Sequence, residues 1–329
     1  MAVHNNPVSR AHILSHSLFD NELIKHMEDL TMKAPEISFY AWQQRFATEQ
    51  ACLDHLLQLR WPNGFQCPKC DHDHGYYTAN RGHFECASCH KQSSVISGTL
   101  FHGTKMPLVK WFWAIYWIAT DKGSISALRL SKLIGTTWRT SYRLLSKLRG
   151  AMGHRDTLYR LSRIIELDDA LIGGKRPGKR GRGAEGKTSV LIACENWEGK
   201  PGFVAMEVVE SVNAHTVHDF ARRRIRPKQI VRTDALPALN SLAHHVTHIK
   251  KVTPPEEATK WLPWVHIVIA NLKRYLLGTY HGTGRDYLQG YLNEFTYRFN
   301  RRFWEAEIPN RLLRLCVDHV PMPYRGTGL

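Results

Sequence analysis

No apolar run in the 329 residues approaches the roughly 18 that a bilayer span requires; the longest, around Trp111–Ala119, is far shorter. The start, Met1-Ala2-Val3-His4-Asn5-Asn6-Pro7, lacks a basic stretch leading into an apolar one, so no secretory signal is expected. A cytoplasmic chain without disulfides is the expectation, and no membrane partner. Acidic charge is scarce: 29 Asp and Glu stand against 45 Lys and Arg, leaving +16 with histidine neutral. Such an excess attracts phosphates, which makes a nucleic acid the leading expected partner. Hydrophobic residues, at 43%, are not lacking, and global disorder is excluded. The excess is uneven. Residues 1–60 hold 5 basic and 7 acidic side chains, 61–150 hold 12 and 4, and 151–329 hold 28 and 18.

Four of the seven cysteines form Cys67-x-x-Cys70 and, after fifteen residues, Cys86-x-x-Cys89. Each knuckle puts two sulfurs on one side of a tight turn, and two knuckles complete a tetrahedron, so the spacing predicts structural Zn²⁺. Gly75–Thr78 and His83–Cys86 read as short strands between the knuckles, the plan of a zinc ribbon. His72, His74, His83 and His90 are alternative ligands, and the all-cysteine set is the simpler one. Four protein ligands leave no open position, so this metal is not catalytic. Cys52, Cys194 and Cys316 read as buried apolar residues.

Along the chain, residues 1–37 read as a partly ordered leader with a helix at 20–32. Residues 38–100 read as a helical segment plus the ribbon. The aromatic run Trp111–Trp117 reads as a buried helix in preference to a stacking surface. Within 101–153, two helices meet at Gly135, with Thr136 or Thr137 as cap. The second carries Arg139, Arg143 and Lys147 at i, i+4, i+8, a basic stripe that a helix-turn-helix presents to DNA. Gly150–Gly153 suggests a boundary. Two further basic clusters stand out: Lys175, Arg176, Lys179 and Arg180 in a Gly-rich loop, and Arg222, Arg223 and Arg224 closing a helix.

From 154 to 305 the texture changes. Arg163–Asp169 reads as a strand ending in two carboxylates, followed by strands at 188–195 and 202–209, a helix at 214–224, and a strand at 229–234 ending in Asp234. Helices are expected at 236–244 and 264–277. This α/β order fits an RNase-H-like catalytic core, preceded by the small zinc ribbon and the helix-turn-helix region. In such a core Asp168 and Asp234 converge, and two close carboxylates call for a hard cation, Mg²⁺ or Mn²⁺. Residues 306–329 read as a C-terminal tail.

These pieces, with Glu166-Leu167-Asp168-Asp169-x-x-Ile172-Gly173-Gly174-Lys175, Thr233-Asp234 and the stretch from Leu276 to Arg302 containing Gly278-Thr279-Tyr280-His281-Gly282 and Tyr291-Leu292-Asn293-Glu294-Phe295, resemble the insertion-sequence transposases of the ISXO-two type, within the fifteen-ninety-five family. The resemblance runs from about residue 40 to 305. It implies a DDE-type enzyme that binds transposon terminal inverted repeats in double-stranded DNA, cleaves them with catalytic Mg²⁺ or Mn²⁺, and transfers the 3′-OH to target DNA. It also implies a homo-oligomer on paired ends and a place in the bacterial nucleoid. The third acidic position departs from the pattern. Seven residues before Lys273 of the Lys273-Arg274 pair stands His266, with Asn271 the alternative if the register slips. No carboxylate lies between Glu257 and Asp286. By resemblance, Asp168, Asp234 and His266 hold the catalytic metal and Lys273 meets a phosphate, with Arg274 on the DNA. The competing expectation is a catalytically impaired copy that binds DNA as a regulator or domesticated protein. A general RNase H or junction nuclease shares the core but leaves the ribbon and helix-turn-helix unexplained.

Overall fold

The computed structural model describes residues 37–78, 82–173, 187–280 and 283–319. The expected leader helix and the basic loop 175–180 lie outside them. No helix among the described residues is long and apolar enough to cross a membrane.

Helices α1 (Phe39–Arg45) and α2 (Glu49–Arg60) are started by Ser38 and Thr48, whose hydroxyls accept from the Ala41 and Ala51 N–H groups. The ribbon strands β1 (Gly75–Thr78), β2 (His83–Cys86) and β3 (Gln92–Ser94) form an antiparallel sheet in that order. Helix α3 (Leu108–Thr120) carries the aromatic run inward. Trp111, Phe112, Ile115 and Tyr116 are buried, and the Trp42 indole donates to the Phe112 carbonyl at 3.0 Å. The run is core, as expected.

Helix α4 (Ala127–Ile134) then turns through Gly135, whose φ of 60° is the left-handed conformation that favours glycine. Thr137 caps α5 (Trp138–Thr157) by accepting from the Thr140 N–H at 3.2 Å. Instead of ending near Gly150, α5 continues through Gly153 to Thr157. The reason is packing. A Cβ at Gly153 would lie 2.2 Å from the Asn293 amide nitrogen, so the glycine admits a neighbouring helix where a boundary seemed to lie.

The second unit is built on a five-stranded sheet. Strands β4 (Ile164–Ile172), β5 (Thr188–Trp197) and β6 (Lys200–Val209) form an antiparallel meander. After α6 (Ala214–Arg224) come β7 (Ile230–Thr233), a 3₁₀ helix (Pro237–His244) and β8 (Thr247–Lys250), and both strands run parallel to β4. The order β6-β5-β4-β7-β8, with this mix of directions, is the RNase-H-like plan. Alternation along β4 splits the core. Ile165 and Leu167 face α6 and the 3₁₀ helix, whereas Ala170 and Ile172 face α8 (Pro263–Thr279) and α9 (Arg285–Phe299), with the short α7 (Pro255–Trp261) leading in. The carboxylates that seemed to end a strand lie inside β4, because the apolar alternation resumes at Ala170 and Ile172.

Both edges of this sheet need explaining. At β6, helix α9 supplies side-chain amides. Gln289 accepts from the Val208 N–H at 2.9 Å, and Asn300, the residue after α9, accepts from Val204 N–H at 2.8 Å and donates back to its carbonyl at 3.1 Å. At β8 the edge is short and ends in Lys250 and Lys251. The segment read as a C-terminal tail contains α10 (Ile308–Asp318), whose Leu312, Leu313 and Cys316 are fully buried in the same apolar cluster as α2, α3 and α5. Cys52 and Cys194 are buried too.

Candidate active site and metal centre

In the ribbon, Cys67 and Cys89 sulfurs lie 3.6 Å apart, as do those of Cys70 and Cys86. All four fall within 4.8 Å of one another, and they are the one such group of His, Cys, Asp or Glu among the described residues. A tetrahedron with metal–sulfur bonds of about 2.3 Å has edges of about 3.8 Å, so the donor set fits Zn²⁺ closely. Burial raises the Cys67 thiol, but N–H donation from Lys69 and Cys70 together with the neighbouring sulfurs outweighs it and brings the group down to about 6. The nearby histidines are not part of the cluster. Cys70→Ser should therefore abolish stoichiometric zinc, read by elemental analysis of the purified chain, and loosen the Trp61–Phe65–Phe84 ring cluster that packs under the knuckles.

The carboxylate site is set by strand register. Glu166 on β4 is opposite Arg232 on the parallel strand β7. Two residues further along the chain from each come Asp168, within β4, and Asp234, the residue that follows β7. Asp234 is steadied from several directions. Its Oδ1 accepts from the Leu236 N–H at 3.2 Å. The preceding Thr233 donates its hydroxyl to the Asp234 carbonyl at 2.6 Å, meets the His248 ring at 2.8 Å, and accepts the Trp261 indole N–H on its own carbonyl at 2.8 Å. Asp168 Oδ1 accepts from the Asp169 N–H at 2.8 Å. Asp169 itself is on the opposite face of β4, opposite Leu191.

Helix α8 brings His266 over this pair, with Nδ1 3.8 Å from Asp168 Oδ2. Burial lowers the imidazole's pKa, against the raising fields of Glu166 and Asp234. Asn271 is about 140° round the helix from His266. Lys273 is two turns beyond His266 on the same face, and both it and Arg274 are exposed.

One residue of the site escaped sequence reasoning. Pro263 starts α8 without a local side-chain cap. The carboxylate of fully buried Glu166 takes that role from the sheet, accepting from Trp264 N–H at 2.7 Å, Val265 N–H at 3.0 Å and the Asn196 amide at 3.0 Å. Burial raises its pKa against these donors. Helix α3 uses the same device, Glu49 accepting from Leu108 N–H at 2.8 Å. Trp264 lies 98 residues after Glu166, so no local pattern in the sequence links the two.

The basic candidates divide. Arg139 and Arg143 are exposed on α5, and Lys147 lies with its Nζ 5.8 Å over the Trp111 ring. Arg222 is exposed. Arg224 is not presented to a ligand: it is buried and paired with Glu207 at 2.6 Å, and Arg223 meets the same carboxylate at 2.7 Å. That cluster is also on the other face of the sheet: Glu207 stands opposite Leu191, level with Asp169, on the α6 side, whereas Asp168 shares the α8 side with Ala170 and Ile172. Lys175, Arg176, Lys179 and Arg180 lie outside the described residues.

Residues 160–300 match the ISXO2-like transposase domain, and residues 47–92 match the transposase zinc-ribbon domain. An uncharacterized protein in transposable element ISH50 of Halobacterium salinarum is 23% identical over 276 residues, covering 77% of this chain and 91% of that one. Among solved structures, the Mos1 transposase paired-end complex with left transposon end aligns at 13% identity and a TM-score of 0.28, over 61% of this chain and 76% of that one. The Mos1 strand transfer complex aligns at 13% and 0.29, over 61% and 75%.

Proposed function

Given a chain that belongs, through residues 160–300 and 47–92, to the ISXO2-like transposases of the IS1595 family, we propose that it binds the terminal inverted repeats of its own insertion sequence, cuts them, and joins the freed 3′-OH to target DNA. The observation that supports this reading is Asp168 within β4 and Asp234 just past the neighbouring parallel strand β7, with His266 Nδ1 3.8 Å from Asp168 Oδ2. The donors are hard carboxylate oxygens with an open side, which suit Mg²⁺ or Mn²⁺. Such ions, when bound, polarise a phosphate and make an attacking oxygen nucleophilic.

The chain's own residues do the rest. Asp168 and Asp234 place two negative charges where cations must gather before a phosphate can approach. His266, neutral through burial, offers a ring nitrogen on the same face without adding a charge. Lys273, two turns along, meets a phosphate beside the scissile one, and Arg274 contacts the neighbouring backbone. In the first step water's oxygen bonds phosphorus as the P–O3′ bond breaks. In the second the released 3′-OH oxygen bonds a target phosphorus as the target's own P–O3′ bond breaks, and the proton given up by the attacking hydroxyl is matched by the one that the departing 3′-oxygen takes up. Arg139, Arg143 and Lys147 hold the duplex, and two protomers pair the ends.

The test is incubation of the full chain with a duplex carrying the repeats that flank its gene. Nicked and joined products should form with Mg²⁺ or Mn²⁺ and vanish with EDTA. One observation favours a second reading: a histidine occupies the position where a carboxylate completes the site. If end binding is intact and no metal-dependent cutting occurs, the chain is a DNA-binding regulator and the catalytic reading falls.

A further inference from the structure

The helix pair α4–α5 carries a feature that neither the metal site nor phosphate binding uses. Trp138, the first residue of α5, is 50% exposed. Its ring is not loose. It stacks on Tyr142 one turn later, with centroids 5.3 Å apart and planes 18° apart, and Tyr142 in turn meets the edge of Tyr287 at 6.0 Å. Tyr287 belongs to α9 of the sheet-bearing unit. A large apolar ring is thus held in one orientation at the surface by a brace that reaches across both units. Burial does not explain the ring, since half of it faces solvent.

Its position decides what it meets. The second helix of a helix-turn-helix enters the major groove by its N-terminal residues, which reach base edges. Trp138 follows the three-residue turn 135–137 and is that residue. Arg139 and Arg143 are exposed on the same helix, and no carboxylate occurs between Asp121 and Asp156. A second copy of this surface would bring like charges together, which disfavours self-association and favours a polyanion. The one apolar feature of the major-groove edges is the thymine 5-methyl group.

We infer that Trp138, braced by Tyr142 and Tyr287, is the sequence-reading residue of α5, and that it packs on thymine methyl groups of the terminal repeat while Arg139 and Arg143 hold the flanking phosphates. This rests on the reading that the chain binds its element's ends. The brace gives the contact its selectivity, because a fixed ring fits one groove position and a mobile one fits many.

The experiment compares equilibrium binding of the full chain to a terminal-repeat duplex and to a shuffled duplex of equal length and composition. Trp138→Ala should lower the preference for the repeat about tenfold and leave shuffled binding within about twofold. Arg143→Ala should weaken both alike. Replacing the thymines of the repeat by uracil, one at a time, should cost the wild type roughly fourfold at the contacted positions, the worth of one methyl group, and cost Trp138→Ala nothing further. The uracil scan needs no variant to fold, so it stands alone. An unchanged preference in Trp138→Ala, uracil tolerance at every position in the wild type, or a shift in oligomeric state as the sole effect of Trp138→Ala would overturn the inference. A wild type with no preference for the repeat would instead overturn the reading it rests on.

Discussion

Asp168→Ala and Asp234→Ala should each slow the cutting of terminal-repeat DNA by about a thousandfold or more, while end binding is unchanged or a few-fold tighter. The loss follows from what the carboxylates do. On the proposed reading, ions held by them would stabilise the transition state by several kcal/mol, and about 4 kcal/mol is already a factor of about a thousand. Binding does not fall, because it rests on the basic surfaces, and removing a carboxylate removes repulsion from the phosphates. The fold should survive, since neither side chain is buried in an apolar cluster and the Thr233 hydroxyl and Trp261 indole still donate to the Asp234 and Thr233 carbonyls. Single-turnover cleavage beside a gel-shift titration reads both quantities. Variants that cut at the wild-type rate would remove the metal-site assignment.

Arg149→Ala should destabilise the chain by about 3–5 kcal/mol, an effect of the opposite kind, on stability and not on chemistry. Arg149 on α5 is almost wholly buried and donates its Nε to Glu294 on α9 at 2.8 Å, with both side chains at or below 5% exposure. It also donates to the Tyr280 hydroxyl at 2.7 Å. Burial opposes its charge, and Glu294 outweighs burial and raises its pKa. Removing one partner leaves the other an uncompensated buried charge. Replacing both, Arg149→Met with Glu294→Leu, should recover most of the loss, because the desolvation cost goes with the pair. Chemical denaturation of the four forms of the double-mutant cycle measures the coupling. A single variant within 1 kcal/mol of wild type, on the order of an exposed pair, would contradict it.

The same bond shows what the sequence did and did not disclose. The cysteine ligands were legible because zinc geometry is written in local spacing, Cys67-x-x-Cys70 and Cys86-x-x-Cys89. The helix-turn-helix was legible from Gly135 and Thr137, which act on their immediate neighbours. Asp168 and Asp234 stood out because each follows closely on a short, mostly apolar stretch, Ile164–Leu167 and Ile230–Val231. Residues 276–302 stood out as a motif, but their work was hidden. Glu294 and Tyr280 neutralise and hold Arg149, Asn293 fills the space over Gly153, and Asn300 seals the β6 edge. These partners lie about a hundred or more residues away, and no local period reports them. Glu166 was hidden for the same reason, its partner being the far end of a helix. Strand β8 was missed because Thr247-His248-Ile249-Lys250 is short and mostly exposed, with no alternation to read. The arginines at 222–224 misled, since a charge run says nothing about a carboxylate, Glu207, placed beneath it by a neighbouring strand.

If Asp168 ligates the ion that acts on the scissile phosphate, the metal preference of cleavage must follow the chemistry of that side chain, and Asp168→Cys reads this out. A thiolate is a poor ligand for Mg²⁺ and a better one for Mn²⁺. Cleavage of terminal-repeat DNA by this variant, measured in each metal against the wild type, should be lost in Mg²⁺ and regained by at least about tenfold in Mn²⁺, with the wild type active in both. Wild-type rates for Asp168→Cys in Mg²⁺, or equal inactivity in both metals while Asp234→Cys cuts normally, would contradict the ligand role of Asp168.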